Sequence, residues 1–244
     1  MAQDKKKEIS FFDKFIEKNY EYLGLSAKSY DKLFSELSKS LDLQQQKFKI
    51  IDLGCGTGTF TKKLSLLSNK VYGCDISSKS IKRAISFYPE INFSTQNIEN
   101  LSFENDFFDV VIFSGVLHHF DDLHKPLMEA KRILKPDGLI FSFDPNLQNP
   151  FFWLFRRKKS WFYSNKGVTD NEEPLTKNKI KIVMRSCQFK KIEVYGISNM
   201  SYKYIESTKL SLLLPIYNFV DNLIDIIPWV KNTIGSFLIT KVRK

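Results

Sequence analysis

The chain has 244 residues, of which 43% are hydrophobic, 14% aromatic and 26% charged. This composition is typical of a globular protein with a sizeable core, and it argues against a collagen-like, repeat or disordered chain. Three cysteines provide no disulfide framework, and no charged segment followed by an apolar one opens the chain, so no secretory signal is predicted. We therefore expect a cytoplasmic protein with reduced thiols.

The net charge of +10 is concentrated in one segment. Residues 1–150 contain 20 basic and 20 acidic residues, residues 151–191 contain 11 and 3, and residues 192–244 contain 6 and 4. A local excess of +8 is typical of a solvated basic loop, or of a surface that meets an acidic acceptor or an anionic membrane.

Hydrophobic periodicity predicts two N-terminal helices, at 9–22 and at 26–40 with Ser26 as N-cap, followed by alternating strands and helices. The predicted strands are 48–53, 70–75, 91–95, 107–113, 139–143, 189–197 and 235–242. The predicted helices between them are 59–68, 78–87, 122–134 and 176–187. This alternation indicates parallel β-α-β units with right-handed crossovers.

A glycine-rich turn follows the first predicted strand, in the sequence Asp52-Leu53-Gly54-Cys55-Gly56-Thr57-Gly58. Glycines let a chain bend sharply and approach a ligand closely, and ligands of parallel sheets bind at the carboxyl ends of the strands. Asp75 ends the second strand, where its carboxylate can accept hydrogen bonds from both ribose hydroxyls. Dinucleotide and adenosyl cofactors share these features, but the third glycine of the dinucleotide pattern would fall at Thr59.

Five motifs in order resemble those of the class I S-adenosylmethionine-dependent methyltransferases, in the subgroup that includes small-molecule and lipid methyltransferases. The stretches that carry the resemblance are Ile51–Gly58, Gly73–Ser77, Asn97–Phe103, Phe108–Val111 with Leu117–Phe120, and Arg132–Leu139. The resemblance implies an α/β, Rossmann-like fold: seven mostly parallel strands, helices on both faces and an antiparallel last strand.

The same resemblance implies the cofactor, S-adenosyl-L-methionine, its product S-adenosyl-L-homocysteine, and the residues that bind them. The backbone at Gly54 and Gly56 and the side chain of Ser114 should meet the methionine part, while Asp75 should bind the ribose. Ile76, Asn97 and Ile98 should lie at the adenine; an acidic residue usually stands where this chain has Asn97, which keeps an acceptor oxygen but not the charge. Asp52 and Cys55 are counted with these cofactor-binding residues: Asp52 either supports the loop or caps the turn, and Cys55 is expected to be a small packing residue rather than a reactive thiol.

All three histidines lie close together in the sequence, at His118, His119 and His124. His118 and His119 follow the fourth strand, so either could act as a general base toward an acceptor, or both could be structural residues of the loop. His124 is expected at the surface. No metal site is predicted, because no cysteine and no helical histidine pair accompanies them.

The acceptor is predicted only by class: a small molecule, glycan or lipid. The Asn/Asp-Pro-Pro-aromatic motif of enzymes that methylate nucleic-acid bases is replaced by Ser114-Gly115-Val116-Leu117. An RNA methyltransferase, suggested by the basic segment, a non-catalytic S-adenosylmethionine-binding module and a nicotinamide oxidoreductase are the alternatives. Seven aromatic residues flank Arg156-Arg157-Lys158-Lys159, and we expect 149–165 to cover the acceptor pocket.

The C-terminal region contains an uncharged run, Leu210–Val220, that is too short to span a bilayer. Residues 216–227 predict an amphipathic helix with one polar stripe, formed by Asn218, Asp221, Asn222 and Asp225. We expect its apolar face to pack on its own domain; peripheral membrane contact through 149–165 and 205–231 is the alternative.

One methyltransferase domain, 1–244, is predicted. Its parts are N-terminal helices at 1–47, a cofactor-binding core at 48–145, an acceptor-side, aromatic and basic insertion at 146–175 after strand five, and C-terminal helices and last strands at 176–244. The oligomeric state is left open.

Overall fold

The computed structural model describes residues 5–18, 25–41, 48–163, 169, 172–202 and 212–244. Seven strands form one sheet in the described part of the chain. They are β1 (Lys49–Leu53), β2 (Lys70–Asp75), β3 (Asn92–Thr95), β4 (Phe108–Ser114), β5 (Leu134–Pro145), β6 (Lys190–Ile197) and β7 (Phe237–Arg243). Their order is β3-β2-β1-β4-β5-β7-β6.

Six strands run in one direction and β7 runs against them. The pairs from β3 to β5 are all parallel, and β7 is antiparallel to both of its neighbours, β5 and β6. The predicted seven-stranded, mostly parallel sheet with an antiparallel last strand is therefore confirmed. The carboxyl ends of β1, β2 and β4 consequently meet at one edge, where the glycine turn lies.

The helices in the described residues are α1 (Lys5–Lys18), α2 (Ala27–Ser38), α3 (Thr59–Leu64), α4 (Ser78–Phe87), α5 (His124–Ile133), α6 (Pro150–Arg156), α7 (Lys177–Ser186), α8 (Leu214–Ile226) and α9 (Pro228–Ile234). Seven of them lie where periodicity predicts them, with shifted ends, and two, α6 and α9, were not predicted. A 3-10 turn spans Leu117–His119. The Ser26 side chain accepts a hydrogen bond from the Ser29 N–H at 3.2 Å, so the predicted N-cap of α2 is confirmed.

Three ends differ from the prediction by more than two residues. The first helix begins at Lys5 rather than at residue 9, and residues 19–22 of the predicted helix lie outside the described residues. Helix α3 ends at Leu64 rather than at residue 68. Strand β5 begins at Leu134 rather than at residue 139, because Leu134 pairs with Phe108 before an irregularity in the register, where Asp137 has a φ of 58°.

Side chains alternate between two cores on opposite faces of the sheet. Ile51, Val111 and Ile140 are neighbours in register, and on their face α5 and α7 add Leu127 and Met184. The preceding row in the same three strands is Ile50, Val110 and Leu139, which packs with residues of α2 and α3. Helices thus cover both faces, as predicted, and hold the central strand ends in place.

Two asparagine side chains attach the region after β5 to the rest of the domain. Asn146 donates from Nδ2 to the carbonyl of Gly235 at 2.7 Å, and Asn149 donates from Nδ2 to the carbonyl of Ile234 at 2.9 Å. These bonds fasten the start of α6 to the end of α9. Among the described residues no helix is both long and apolar enough to cross a membrane.

Candidate functional site

The glycine turn after β1 requires glycine at defined positions. Gly54, Gly56 and Gly58 have φ values of 74°, 53° and 82°, in the region that favours glycine. A Cβ on Gly54 would lie 2.7 Å from the Val116 side chain, whereas nothing lies within 4 Å of the corresponding point at Gly56. The turn therefore packs tightly on one side and leaves open space on the other.

The carboxylate of Asp75 closes the turn from the neighbouring strand. Its Oδ2 accepts the N–H of Gly56 at 2.9 Å and its Oδ1 accepts the N–H of Ser77 at 2.9 Å. Burial raises the pKa of this carboxyl, although hydrogen bonds from the backbone N–H groups of Ser77, Gly56 and Ile76 oppose the shift. An ionised carboxylate has about four acceptor positions, so it can still accept a hydrogen bond from a ligand hydroxyl.

Asp52 lies beneath the turn and is fully buried. Its carboxylate accepts hydrogen bonds from the hydroxyls of Thr61, at 2.6 Å, and Ser114. Burial, opposed by these two bonds, raises the pKa of Asp52 from 3.8 to about 7. This residue therefore holds α3 and the end of β4 to β1, and it does not line the pocket described next.

A pocket of about 980 Å³, including its part open to solvent, lies over the turn. It brings together eight of the predicted cofactor-binding residues, namely Gly54, Cys55, Gly56, Asp75, Ile76, Asn97, Ile98 and Ser114. The Asn97 Oδ1 atom also accepts the N–H of Glu99 at 3.2 Å, which holds the loop in place. Burial raises the pKa of the Cys55 thiol well above its usual value, consistent with a packing role.

Helix α1 forms a wall of this pocket through Lys5, Glu8, Phe12 and Ile16. It is held across the strand ends by a hydrogen bond from Ser77 Oγ to Asp13 at 2.6 Å and by ion pairs from Lys79 to Glu17 and from Lys5 to Glu99. Sequence periodicity predicts the helix but not its position, so these residues are missing from the predicted site. The amphipathic pattern of α1, with Phe12, Phe15 and Ile16 on one side, indicates that the helix packs on another part of the chain but not on which part.

The two central histidines face different surroundings. His118 is buried outside the pocket lining, and its Nδ1 lies 3.0 Å from Asp144 Oδ1. His119 lines the pocket; its Nδ1 lies 3.6 Å from Glu8 Oε1 and its ring packs edge-on against Phe12. His124 is exposed at the start of α5, as expected.

The pKa values of these two histidines shift in opposite directions. Burial disfavours the charged form of His118, but the hydrogen bond to Asp144 and the nearby Glu172 outweigh it and raise its pKa. Burial and the neighbouring His118 lower the pKa of His119 well below its usual value. His119 is consequently a neutral imidazole at neutral pH, which can accept or donate a hydrogen bond inside the pocket.

Glu172 adds a carboxylate to the histidine pair that the spacing in the sequence did not indicate. One possible metal-ligand atom from each of His118, His119 and Glu172 lies within 4.8 Å of the other two. Glu172 lies 3.7 Å from His118 Nε2 and 3.8 Å from His119 Nδ1, and its Oε2 accepts the N–H of Thr169 at 3.3 Å. The absence of a metal stays a prediction.

The insertion does not cover this pocket in the way the sequence suggests. No described residue of 149–163 belongs to the lining, and residues 164–165 lie outside the described part. Helix α6 packs instead on α8 and β7, with Phe151 4.8 Å from the Tyr217 ring and Phe152 6.3 Å from the Phe237 ring. Phe151 and Phe152 therefore pack on the other side of α6, and it is helix α1 that covers the pocket.

The buried carboxyl of Asp52 should make stability depend on pH. Its pKa is raised from 3.8 to about 7 on folding, so its contribution is complete below 3.8 and is lost as the pH rises to about 7. This loss amounts to about 4 kcal/mol for a shift of this size. We expect Asp52→Asn, which cannot ionise, to remove most of that slope in denaturant unfolding measured across this range.

The exposed carboxyl of Glu104 offers a matched control. Glu104→Gln should leave the slope of the unfolding free energy against pH as in the wild type. Parallel curves for wild type and Asp52→Asn would show that folding does not raise the pKa of Asp52.

Comparison with known proteins places this site in a family. The family model described as "Methyltransferase domain" matches residues 51–142, which contain the glycine turn, Asp75, Asn97 and both buried histidines. An uncharacterized protein of Methanocaldococcus jannaschii, MJ1252, is 33% identical over 193 residues, which cover 71% of this chain and 72% of that protein.

Two further comparisons agree. The ubiquinone/menaquinone biosynthesis C-methyltransferase UbiE of Haemophilus ducreyi is 32% identical over 127 residues, so that this chain spans only 47% of that relative. A crystal structure of an S-adenosylmethionine-dependent methyltransferase from Thermotoga maritima has the same fold, with a TM-score of 0.60, 18% identity and 88% of this chain and 89% of that chain covered. The chain belongs to the class I S-adenosylmethionine-dependent methyltransferases.

Proposed function

We propose that this methyltransferase acts on a small, largely apolar acceptor of the lipid or quinone type. One observation carries the proposal: beyond the glycine turn and Asp75, the pocket wall is made mostly of aromatic and aliphatic side chains. These are Phe12, Ile16, Tyr30, Phe60, Val116, Phe120 and Phe143. A pocket of this kind binds an apolar molecule and excludes water from the reacting atoms.

The cofactor fits the residues that face it. The empty space beside Gly56 allows the backbone to approach a ligand, and the two carboxylate oxygens of Asp75 suit a ribose diol. We infer that Gly54 and Gly56 hold the methionine part and that Asn97 and Ile98 border the adenine. When bound, S-adenosylmethionine supplies an activated methyl group, so the protein has chiefly to position the acceptor in line.

We infer that His119 orients the acceptor and that His118 does not touch it. His119 lines the pocket as a neutral imidazole beside Glu8, at 3.6 Å, and beside the Thr169 hydroxyl, at 3.5 Å. A base with a strongly lowered pKa is a weak proton acceptor, which favours a hydrogen-bonding role over full proton abstraction. His118, held by Asp144, supports the loop from behind.

The relative UbiE is named for C-methylation in ubiquinone and menaquinone biosynthesis, which supports a quinone-like acceptor here. The match spans 48% of this chain and 47% of that relative. An RNA acceptor has less support, because the basic cluster at 156–159 is absent from the pocket lining.

The acceptor class can be tested with cofactor labelled on the methyl group. Extract is fractionated into lipid, glycan, other small-molecule and RNA pools, and each pool is incubated with the protein and the label. We expect label in the lipid or small-molecule pool. Label confined to RNA or glycan would contradict the proposed acceptor, and no label in any pool, with intact cofactor binding, would indicate a non-catalytic module.

Asp75→Ala should weaken cofactor binding. It removes the acceptor for two hydroxyls, and a hydrogen bond to a charged group contributes about 1.5–3 kcal/mol, so we expect the Kd for S-adenosylhomocysteine to rise about 10- to 150-fold. Calorimetric titration measures this directly. Glu90→Ala, which removes an exposed carboxylate paired only with Lys62 in the described contacts, should bind as the wild type does. An unchanged Kd for Asp75→Ala would remove Asp75 from the site.

His119→Ala should lower kcat on the responsive pool by about a hundredfold, because the acceptor would no longer be held in line. Its Kd for S-adenosylhomocysteine should stay near the wild-type value. The exposed His124 provides the control variant, His124→Ala, with unchanged kcat. Equal turnover by His119→Ala and wild type would refute an orienting role.

A further inference from the structure

The two carboxylates in the polar stripe of helix α8, those of Asp221 and Asp225, face the rest of the protein. Asp221 is buried and its Oδ2 accepts the N–H of Met200 at 2.8 Å and the hydroxyl of Ser236 at 3.1 Å. Asp225 is paired with Lys32 at 2.8 Å and with Lys231 at 3.3 Å. The expectation that the apolar face packs on the domain therefore holds only in part: Tyr217 and Ile224 are buried beside Asp221, whereas most of the apolar side chains, and Asn222 of the stripe, are exposed.

The outward face of α8 and its flanks is apolar instead. Phe219, Ile226 and Trp229 expose 63%, 73% and 75% of their surface. The other large exposed side chains of this stretch are Leu212, Leu213, Ile216, Val220, Leu223 and Ile227. None of the exposed positions between 212 and 229 is charged. Contiguous apolar surface of this extent marks a site of contact with a protein or a membrane.

The apolar face continues onto α6. A groove between the two helices is lined by Phe151, Leu154 and Phe155 on one side and by Ile216 and Val220 on the other. Just beyond it, Trp153 and Phe162 expose 48% and 58% of their surface, and Trp161 exposes 96%. Tryptophan is suited to the boundary between water and lipid, because its ring is apolar and its N–H is polar.

Positive charge borders this face. The basic cluster Arg156-Arg157-Lys158-Lys159 stands at the C-terminal end of α6. The Arg157 guanidinium lies 5.7 Å from the ring of the exposed Trp153. A row of cations beside exposed aromatic and aliphatic side chains is the pattern of a segment that lies in the interface of an anionic bilayer. The apolar side chains would insert into the bilayer while the cations attract the phosphates of the lipid headgroups, and both effects would strengthen binding to the membrane.

We propose that the face formed by α6, residues 157–163, α8 and α9 docks on the surface of a membrane that contains anionic phospholipid. A second copy of the chain fits less well, because contact through the same face would bring two basic clusters together without an exposed acid from 212–229. RNA fits less well too, because it would contact the basic cluster and leave the apolar side chains of 212–229 exposed to water. Bilayer binding does not depend on which acceptor is methylated.

The test is sedimentation of the full chain with vesicles. Wild type should bind vesicles of equal parts phosphatidylcholine and phosphatidylglycerol at least about tenfold better than phosphatidylcholine alone, and should lose binding as salt rises. A variant with Arg156, Arg157, Lys158 and Lys159 replaced by Gln should lose that preference. A second variant, Phe219→Gln with Ile226→Gln and Trp229→Gln, should bind both vesicle types at least about tenfold more weakly.

A matched control replaces three exposed apolar residues elsewhere, Leu66, Phe87 and Ile182, by Gln. It should bind vesicles as the wild type does, and all variants should keep the wild-type Kd for S-adenosylhomocysteine, which reports an intact fold. Failure of wild type to bind anionic vesicles would overturn the proposal. Unchanged vesicle binding by the triple variant of α8 and α9 would overturn it as well. So would the finding that wild type associates with itself through this face, and loses that association in the triple variant, without binding vesicles.

Discussion

The buried carboxyl of Asp52 is the interaction on which the rest of the site depends. It lies in the strand that leads into the glycine turn and binds the hydroxyls of Thr61 in α3 and Ser114 at the end of β4. Burying a carboxyl costs free energy unless it has hydrogen-bond partners, and here the two hydroxyls are those partners. These hydrogen bonds therefore hold the turn, the following helix and the neighbouring strand together. The turn also lies at hydrogen-bond distance from Asp75, which accepts the N–H of Gly56.

The core of the fold could be predicted from the sequence because its signals are local. Buried strands such as Phe108–Ser114 are continuous apolar runs, the glycine turn fixes the first crossover, and Asp75 stands at the end of the next strand. These features depend on neighbours within a few residues. The resemblance to a family added the antiparallel last strand, which no local pattern shows.

The rest of the site depends on contacts between distant segments. Nothing in the periodicity of α1 shows that Glu8 and Phe12 face the pocket, because that depends on Asp13 meeting Ser77 sixty-four residues away. Glu172 reaches the histidines from a segment whose pattern is irregular. The orientation of helix α8 also could not be predicted from its sequence, because an amphipathic pattern identifies two faces but not which of them the protein covers. Here the buried carboxylate of Asp221 accepts the N–H of Met200, so that this part of the polar stripe faces the protein.

One short segment joins the pocket to the exposed apolar face. Asp144, the penultimate residue of β5, binds His118 at 3.0 Å. Two residues later Asn146 is fastened to the carbonyl of Gly235, and Asn149 begins α6 while donating to Ile234. Leu175 binds back to the Pro145 carbonyl at 2.9 Å, and the Glu173 N–H binds the His118 carbonyl at 3.1 Å. Hydrogen bonds on both sides of residues 144–149 therefore link the histidine loop to the start of α6 and the end of α9. A membrane bound by the face that α6 and α9 help to form would be connected to the pocket through this hydrogen-bonded segment.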